Sequence, residues 1–144
     1  MSERLPGLPP PETSPVNEGY WRSAAEGKFV IQRCDACGAH RHPPAAVCFN
    51  CLSTRWSWDG ALPGTGRVFS YIWVHRPAIP ALATLVPYNV AIVEVDGTVG
   101  GVVRVASNVF DVDLDSLVID LPVSVTFDPC GEGLALPAWV PTKS

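Results

Sequence analysis

Two short cysteine pairs limit what this chain can fold into more than any other feature. Cys34-Asp35-Ala36-Cys37 and Cys48-Phe49-Asn50-Cys51 have the same C-x2-C spacing, and a ten-residue loop joins them. Each pair can wrap one side of a metal ion, and two pairs complete a tetrahedron of thiolates. Four protein ligands leave no open position, so the metal would be structural rather than catalytic. Zinc is the expected ion. Iron suits the same sulfur tetrahedron, and redox dithiols are the remaining reading. His40 and His42 lie between the pairs and could replace a cysteine, but four cysteines already complete the set. Gly38 follows the first pair, where the chain must turn back and a positive φ is favoured. Leu52 stands at the equivalent place after the second pair.

The opening stretch, residues 1–15, is rich in proline and has no apolar run, so it reads as a flexible lead. It is not a signal peptide, and no stretch has the length of a membrane span. Paired cysteines without secretion favour metal over disulfides. The expectation is a cytoplasmic protein that does not enter a membrane.

Residues 16–59 read as a helix followed by a metal ribbon. Asn17 is a candidate N-cap and Gly27 a candidate stop, with Tyr20, Trp21, Ala24 and Ala25 on one face between them. So short a helix must dock that face on something. Residues 28–33 read as a strand entering Cys34, and residues 54–58 as the strand leaving the second pair.

Residues 60–144 change texture. Strands are expected at 67–74, 88–95, 98–105, 122–128 and 134–140, with Asp96-Gly97 as a hairpin turn. Gly100-Gly101 suggests a bulge in the third strand, and Pro137 an edge position for the last. Alternation puts Phe69, Tyr71 and Trp73 on one face of the first strand and Val68, Ile72 and Val74 on the other. Five strands in this span fit a small barrel of the OB type. The whole is mainly β: a short helix and a rubredoxin-like zinc ribbon, then a five-stranded OB barrel.

Charge and missing motifs exclude several functions. The net charge is −4. From Gly60 onward the basic residues are Arg67, Arg76, Arg104 and Lys143, outnumbered by Glu94, Asp96, Asp111, Asp113, Asp115, Asp120, Asp128 and Glu132. Such a barrel is a poor funnel for a nucleic-acid backbone. Asp111, Asp113 and Asp115 begin like a calcium loop. Ser116 replaces the required glycine and Pro122 the bidentate glutamate, so they read as a solvated acidic loop. Cys130 reads as a turn cysteine with no identifiable base. No triad or phosphate loop is present. The connection His75–Pro87 carries Ile79, Leu82, Leu85 and Val86, unusually apolar for a surface loop.

Taken together, the segments resemble the DUF35 family. The matching residues are Tyr20-Trp21, Gly27 through Cys34, Pro43-Pro44, Trp56-Ser57-Trp58, Gly64 through Tyr71, Pro87 through Glu94, and Leu136 through Pro141. The resemblance implies a zinc ribbon plus OB fold associated with acyl-CoA. Such proteins lack a catalytic set of their own and assemble with thiolase-superfamily enzymes. One branch partners lipid-transfer-protein-like thiolases that cleave steroid side-chain CoA esters by retro-aldol chemistry. Another bridges thiolase and hydroxymethylglutaryl-CoA synthase, and a third belongs to an acyltransferase acting on phloroglucinols. The apolar 75–87 loop favours the first. The implied assembly is a heterotetramer of two of each chain sharing an acyl-CoA substrate, with no nucleic acid. Tyr20, Trp21, Ile79, Leu82, Leu85, Tyr88 and Trp139 are the expected partner or ligand contacts. Two other readings are an independent acyl-CoA binder or thioesterase, and a single-strand nucleic-acid module. The chain departs from the family pattern at Asp120, where glycine is usual before the fourth barrel strand, and at Leu52.

Overall fold

The structure, a computed structural model, describes residues 8–143. Residues 1–7 of the expected flexible lead lie outside the described residues. Helix α1 spans Glu18–Ala25. The ribbon holds β1 (Ile31–Cys34), β2 (His40–Arg41) and β3 (Trp56–Asp59), in the order β2-β1-β3. The larger sheet holds β4 (Thr65–Val74), β5 (Tyr88–Val95), β6 (Arg104–Ser107), β7 (Pro122–Gly131) and β8 (Leu134–Pro141), in the order β6-β5-β4-β7-β8. Every named pairing is antiparallel.

The start of α1 differs from the sequence expectation. Asn17 occupies the N-cap position but makes no side-chain cap hydrogen bond. Its Oδ1 instead accepts the Ser14 N–H at 2.7 Å, and the Ser14 carbonyl accepts the N–H of Glu18 at 2.9 Å. The turn before the helix, not Asn17 alone, satisfies the first free donors. The end is as expected. Gly27 has φ +75°, its N–H bonds to Ala24 O at 3.0 Å, and Lys28 N–H bonds to Ser23 O at 2.8 Å. That paired closure needs a left-handed residue, which glycine supplies without a Cβ clash.

The helix packs on β8 and β7. Its glycine permits a close fit to the ribbon, since a Cβ on Gly19 would overlap the Trp58 indole. Tyr20 and Ala24 are buried on the inner face. One core unites helix, ribbon and barrel: Tyr20, Phe29, Val30 and Ile31 cluster with Val68, Val93, Val105, Val123 and Trp139. The Phe29 and Trp139 rings meet edge to face at 5.5 Å.

Several strand expectations need correction. The chain enters β1 only at Ile31, with Phe29 and Val30 buried in the core just ahead of the strand. The third barrel strand begins at Arg104, not Thr98. Val99–Val103 form a loop instead, with Gly100 and Gly101 at φ +82° and +133°. Cys130 lies within β7, not in a turn. Pro129 pairs with Ala135 and Gly131 with Leu134, so Cys130 is the extra residue of a bulge and its side chain is buried.

The most consequential correction is in β4. Val68 pairs with Val93 and Ser70 with Ile92, leaving Phe69 as an extra, bulged residue. Tyr71 and Trp73 therefore pack against the core with Val68, while Phe69 and Ile72 are exposed. Phe69 lies under the Arg104 guanidinium, 3.9 Å from its ring centre.

The two sheet edges meet. Val109, just past β6, forms a parallel bridge with Trp139 of β8. Phe110 N–H donates to Trp139 O at 2.7 Å and Trp139 N–H to Asn108 O at 3.0 Å. Asn89 holds this closure from inside. Its Nδ2 donates to Val109 O and its Oδ1 accepts from Val109 N–H, both at 2.8 Å. The side chain thus imitates one more strand residue. Pro137 lies on the edge strand β8, as its missing N–H requires.

Candidate functional site

The metal centre is built twice from one turn. Cys34 N–H donates to Ala39 O at 2.9 Å and Gly38 N–H to Cys34 O at 3.0 Å. In the second knuckle Cys48 N–H donates to Ser53 O at 2.9 Å and Leu52 N–H to Cys48 O at 3.0 Å. Gly38 has φ +79° and Leu52 φ +65°. The leucine adopts the glycine conformation despite the steric cost, with its side chain 75% exposed.

The four sulfurs fit zinc. All lie within 4.8 Å of one another, with Cys34–Cys51 at 3.6 Å and Cys37–Cys48 at 3.7 Å. A tetrahedron with Zn–S of about 2.3 Å requires sulfurs about 3.8 Å apart. Without a cation the thiols separate in acidity. The Cys37 N–H, followed by that of Ala36, holds Cys34 down at about 6. The Ser53 N–H favours the Cys51 thiolate, yet burial and the neighbouring sulfurs push it up to about 11. Four thiolates this close need a dication, and structural zinc supplies one. Cys34 and Cys48 are buried, whereas Cys37 and Cys51 are exposed.

The histidines between the knuckles are not ligands of this centre. His40 Nδ1 accepts the Val99 N–H at 3.0 Å, so the proton sits on Nε2, which donates to Asp59 Oδ2 at 2.8 Å. Asp59 also lies 3.6 Å from Arg33 Nη1. The His40 bond first, then the Ala61 N–H, holds the Asp59 carboxyl below its usual range. His42 packs on Tyr20 with ring centres 5.0 Å apart, and burial lowers its pKa to about 4. Burial likewise pushes the Tyr20 phenol up. The ribbon is therefore tied to the barrel loop after β5. Gly100 lets the two approach, since a Cβ there would lie 2.6 Å from Ala39 Cβ.

A second buried polar set stiffens the loop between the knuckles. Gln32 Oε1 accepts from Arg41 Nε at 2.6 Å and from Ala45 N–H at 2.8 Å, and Arg41 Nη2 donates to Ala45 O at 2.8 Å. Nothing in the residue pattern of β1 or β2 announces this buried arginine.

The seven expected contact residues divide by burial. Tyr20, Leu82 and Trp139 are 3%, 3% and 0% exposed, so they serve the interior of this chain. Leu82 sits in the short 3-10 turn Pro80–Leu82, where it anchors the 75–87 connection. Trp21 is half-buried against Tyr20 and lines a cavity with His42 and Asp128. Ile79 is 41% exposed. Leu85 and Tyr88 border a cleft with Trp73 and Val109. Exposed apolar residues outside those seven include Phe69 and Ile72, turned outward by the bulge, and Val47 and Phe49 at the second knuckle.

Two family models cover this architecture. Residues 21–57 match the ChsH2 rubredoxin-like zinc ribbon domain, and residues 60–128 match the ChsH2 C-terminal OB-fold domain. A solved chain described as the Ltp2-ChsH2(DUF35) aldolase is 34% identical. The likeness covers 91% of this chain and 98% of that one, with a TM-score of 0.78. The chain belongs to the ChsH2 (DUF35) family. A DUF35 protein of unknown function from Sulfolobus solfataricus, at 13% identity and TM-score 0.55, shares the fold alone. A probable enoyl-CoA hydratase alpha subunit from Thermomonospora curvata is 37% identical over 134 residues. This ChsH2-family chain spans 40% of that relative's length. No helix among the described residues is long and apolar enough to cross a membrane.

Proposed function

We propose that this chain is the accessory, non-catalytic subunit of an aldolase complex acting on acyl-CoA thioesters. Its partner is a thiolase-like or lipid-transfer-protein-like enzyme. The observation that carries the reading is the 34% identity to the Ltp2-ChsH2(DUF35) aldolase chain across 98% of that chain. The residues here agree with a supporting role. The zinc site has four protein ligands and no open position. Cys130 is buried in its bulge, where burial pushes the thiol up and makes it a poor nucleophile.

The proposed reaction is retro-aldol carbon–carbon cleavage of a steroid side-chain CoA ester, in a heterotetramer of two of each chain. The partner supplies the catalytic groups, and this chain supplies apolar surface. That surface is the outer side of β4 and β5, where Ile72 pairs with Val90 and Ser70 with Ile92, together with Phe69 and Ile79. β5 is the second barrel strand, and OB folds commonly bind through the face of their second and third strands and the loop after the first. Co-expression with a thiolase-like enzyme should give one co-eluting complex that cleaves a β-hydroxyacyl-CoA. Two soluble proteins that never co-elute and never cleave it together would refute the reading.

The hydratase relative favours a second reading, an accessory role beside an enoyl-CoA hydratase. Reconstitution with a hydratase subunit and assay of water addition to an α,β-unsaturated acyl-CoA distinguishes the two.

A further inference from the structure

The mouth of the barrel holds a cleft in two connected parts. One part, about 190 Å³, has Trp73, Leu85, Pro87, Tyr88 and Val112 in its lining. The other, about 360 Å³, is bounded by Trp73, Pro87, Val112, Asp113, Leu114 and Asp115. Trp73, Pro87 and Val112 belong to both, so an apolar wall runs directly into an acidic rim.

The rim is charged and locally uncompensated. Asp113 accepts the N–H groups of Ser116 at 2.8 Å and Asp115 at 3.1 Å. The Ser116 side chain first, then these two N–H groups, holds its carboxyl below the usual range. Neither Asp113 nor Asp115 forms a salt bridge among the described residues. The sequence has no lysine or arginine between Arg76 and Arg104, nor between Arg104 and Lys143, and no cation lines the cleft. The polyphosphate of a CoA nucleotide would meet like charge here. A long cationic side chain fits both halves, because its apolar stem can cover a hydrophobic wall while its head stays polar. Tryptophan is also the best aromatic surface for a cation.

We propose that this cleft docks a segment of the partner enzyme carrying an arginine or lysine. The stem of that residue lies on Trp73 and Pro87, and its head meets Asp113 and Asp115. The inference rests on the reading of this chain as a subunit and adds a specific contact to it.

The test uses the full zinc-loaded chain and a blocked peptide of alternating leucine and arginine. Controls are the same peptide with citrulline for arginine, and free CoA. The readout is the Trp73 indole N–H resonance, assigned with Trp73→Phe. The arginine peptide should shift that resonance and weaken with salt. Citrulline, or the double variant Asp113→Asn/Asp115→Asn, should cost about five-fold in affinity, the scale of exposed charge pairs. Asparagine at 113 keeps the oxygen that accepts the turn N–H groups, so a fold defect is not expected. Equal binding of the citrulline peptide, binding of CoA at the same resonance, or an unmoved indole would each overturn the proposal. A complex with the thiolase-like partner that ignores the double variant defeats the cleft assignment but not the subunit reading. Peptide binding without any such complex does the reverse.

Discussion

His40 and Val99 are bonded to each other twice. Val99 N–H donates to His40 Nδ1 at 3.0 Å, and His40 N–H donates to Val99 O at 2.9 Å. One residue belongs to the ribbon strand β2 and the other to the loop after β5, so this pair fastens the metal-bearing part of the chain to the barrel.

Metal removal should therefore reach beyond the cysteines. Zinc of this kind contributes on the order of 10 kcal/mol to local folding. Chelation should unfold residues 28–59 and also free the 98–103 loop, which loses its His40 anchor. Hydrogen exchange with and without chelator measures this. The amide of Val99, which donates to His40, should lose protection together with those of the knuckles, while β7 and β8 keep theirs. Protection of the loop unchanged by chelator would contradict the coupling.

Leu52 holds a left-handed backbone that its side chain disfavours. Leu52→Gly relieves roughly 1 kcal/mol of that strain and gives part of it back through a more flexible unfolded chain. A net gain of about 0.5 kcal/mol is expected. The exposed leucine gives up little burial on removal. A thermal melt of the zinc-loaded variant should shift upward, and a downward shift would count against the argument.

His42 makes stability depend on pH. Its pKa falls from 6.5 to about 4 on folding because burial disfavours the charged ring. The unfolded state therefore binds more protons in this interval, and stability falls as pH drops from 6.5 toward 4. The steepest slope from one such group is about 1.4 kcal/mol per pH unit. His42→Asn removes the titration. Subtracting its pH–stability profile from the wild type isolates the histidine from thiolate protonation at the metal. A difference that is flat between pH 6.5 and 4 would show that His42 does not titrate this way.

Asn89 should be irreplaceable by an isosteric apolar residue. Asn89→Leu deletes both bonds to Val109 and strands a buried N–H and C=O at the barrel closure, costing about 3 kcal/mol. Asn89→Asp keeps an acceptor for the Val109 N–H but sets an oxygen against the Val109 carbonyl. Urea midpoints should fall for both. An unchanged midpoint for the leucine variant would mean that closure does not depend on this side chain.

The parts legible in the sequence are those with a short-range signature. C-x2-C spacing encodes the knuckles, alternation encodes β5 and β7, and Gly27 marks the helix end. The unreadable parts depend on partners distant in sequence. His40 lies beside the cysteines yet serves Val99 and Asp59, and nothing in its neighbourhood indicates that. Asn89 sits in an alternating strand, but its use as a surrogate backbone appears only once Val109 is folded beside it. Asp120 was notable as a non-glycine in a glycine position. The structure shows it at φ +66°, so the turn keeps its shape with a residue that tolerates the left-handed region better than most.

The bulge at Phe69 acts on β4 as an inserted letter acts on a sentence read in twos. Every residue before it keeps the parity that alternation assigns, and every residue after it takes the opposite one. Tyr71 and Trp73 owe their inward position, and Ile72 its outward one, to a single additional backbone unit. A relative lacking that unit must write the second half of the strand in the complementary pattern to present the same two faces.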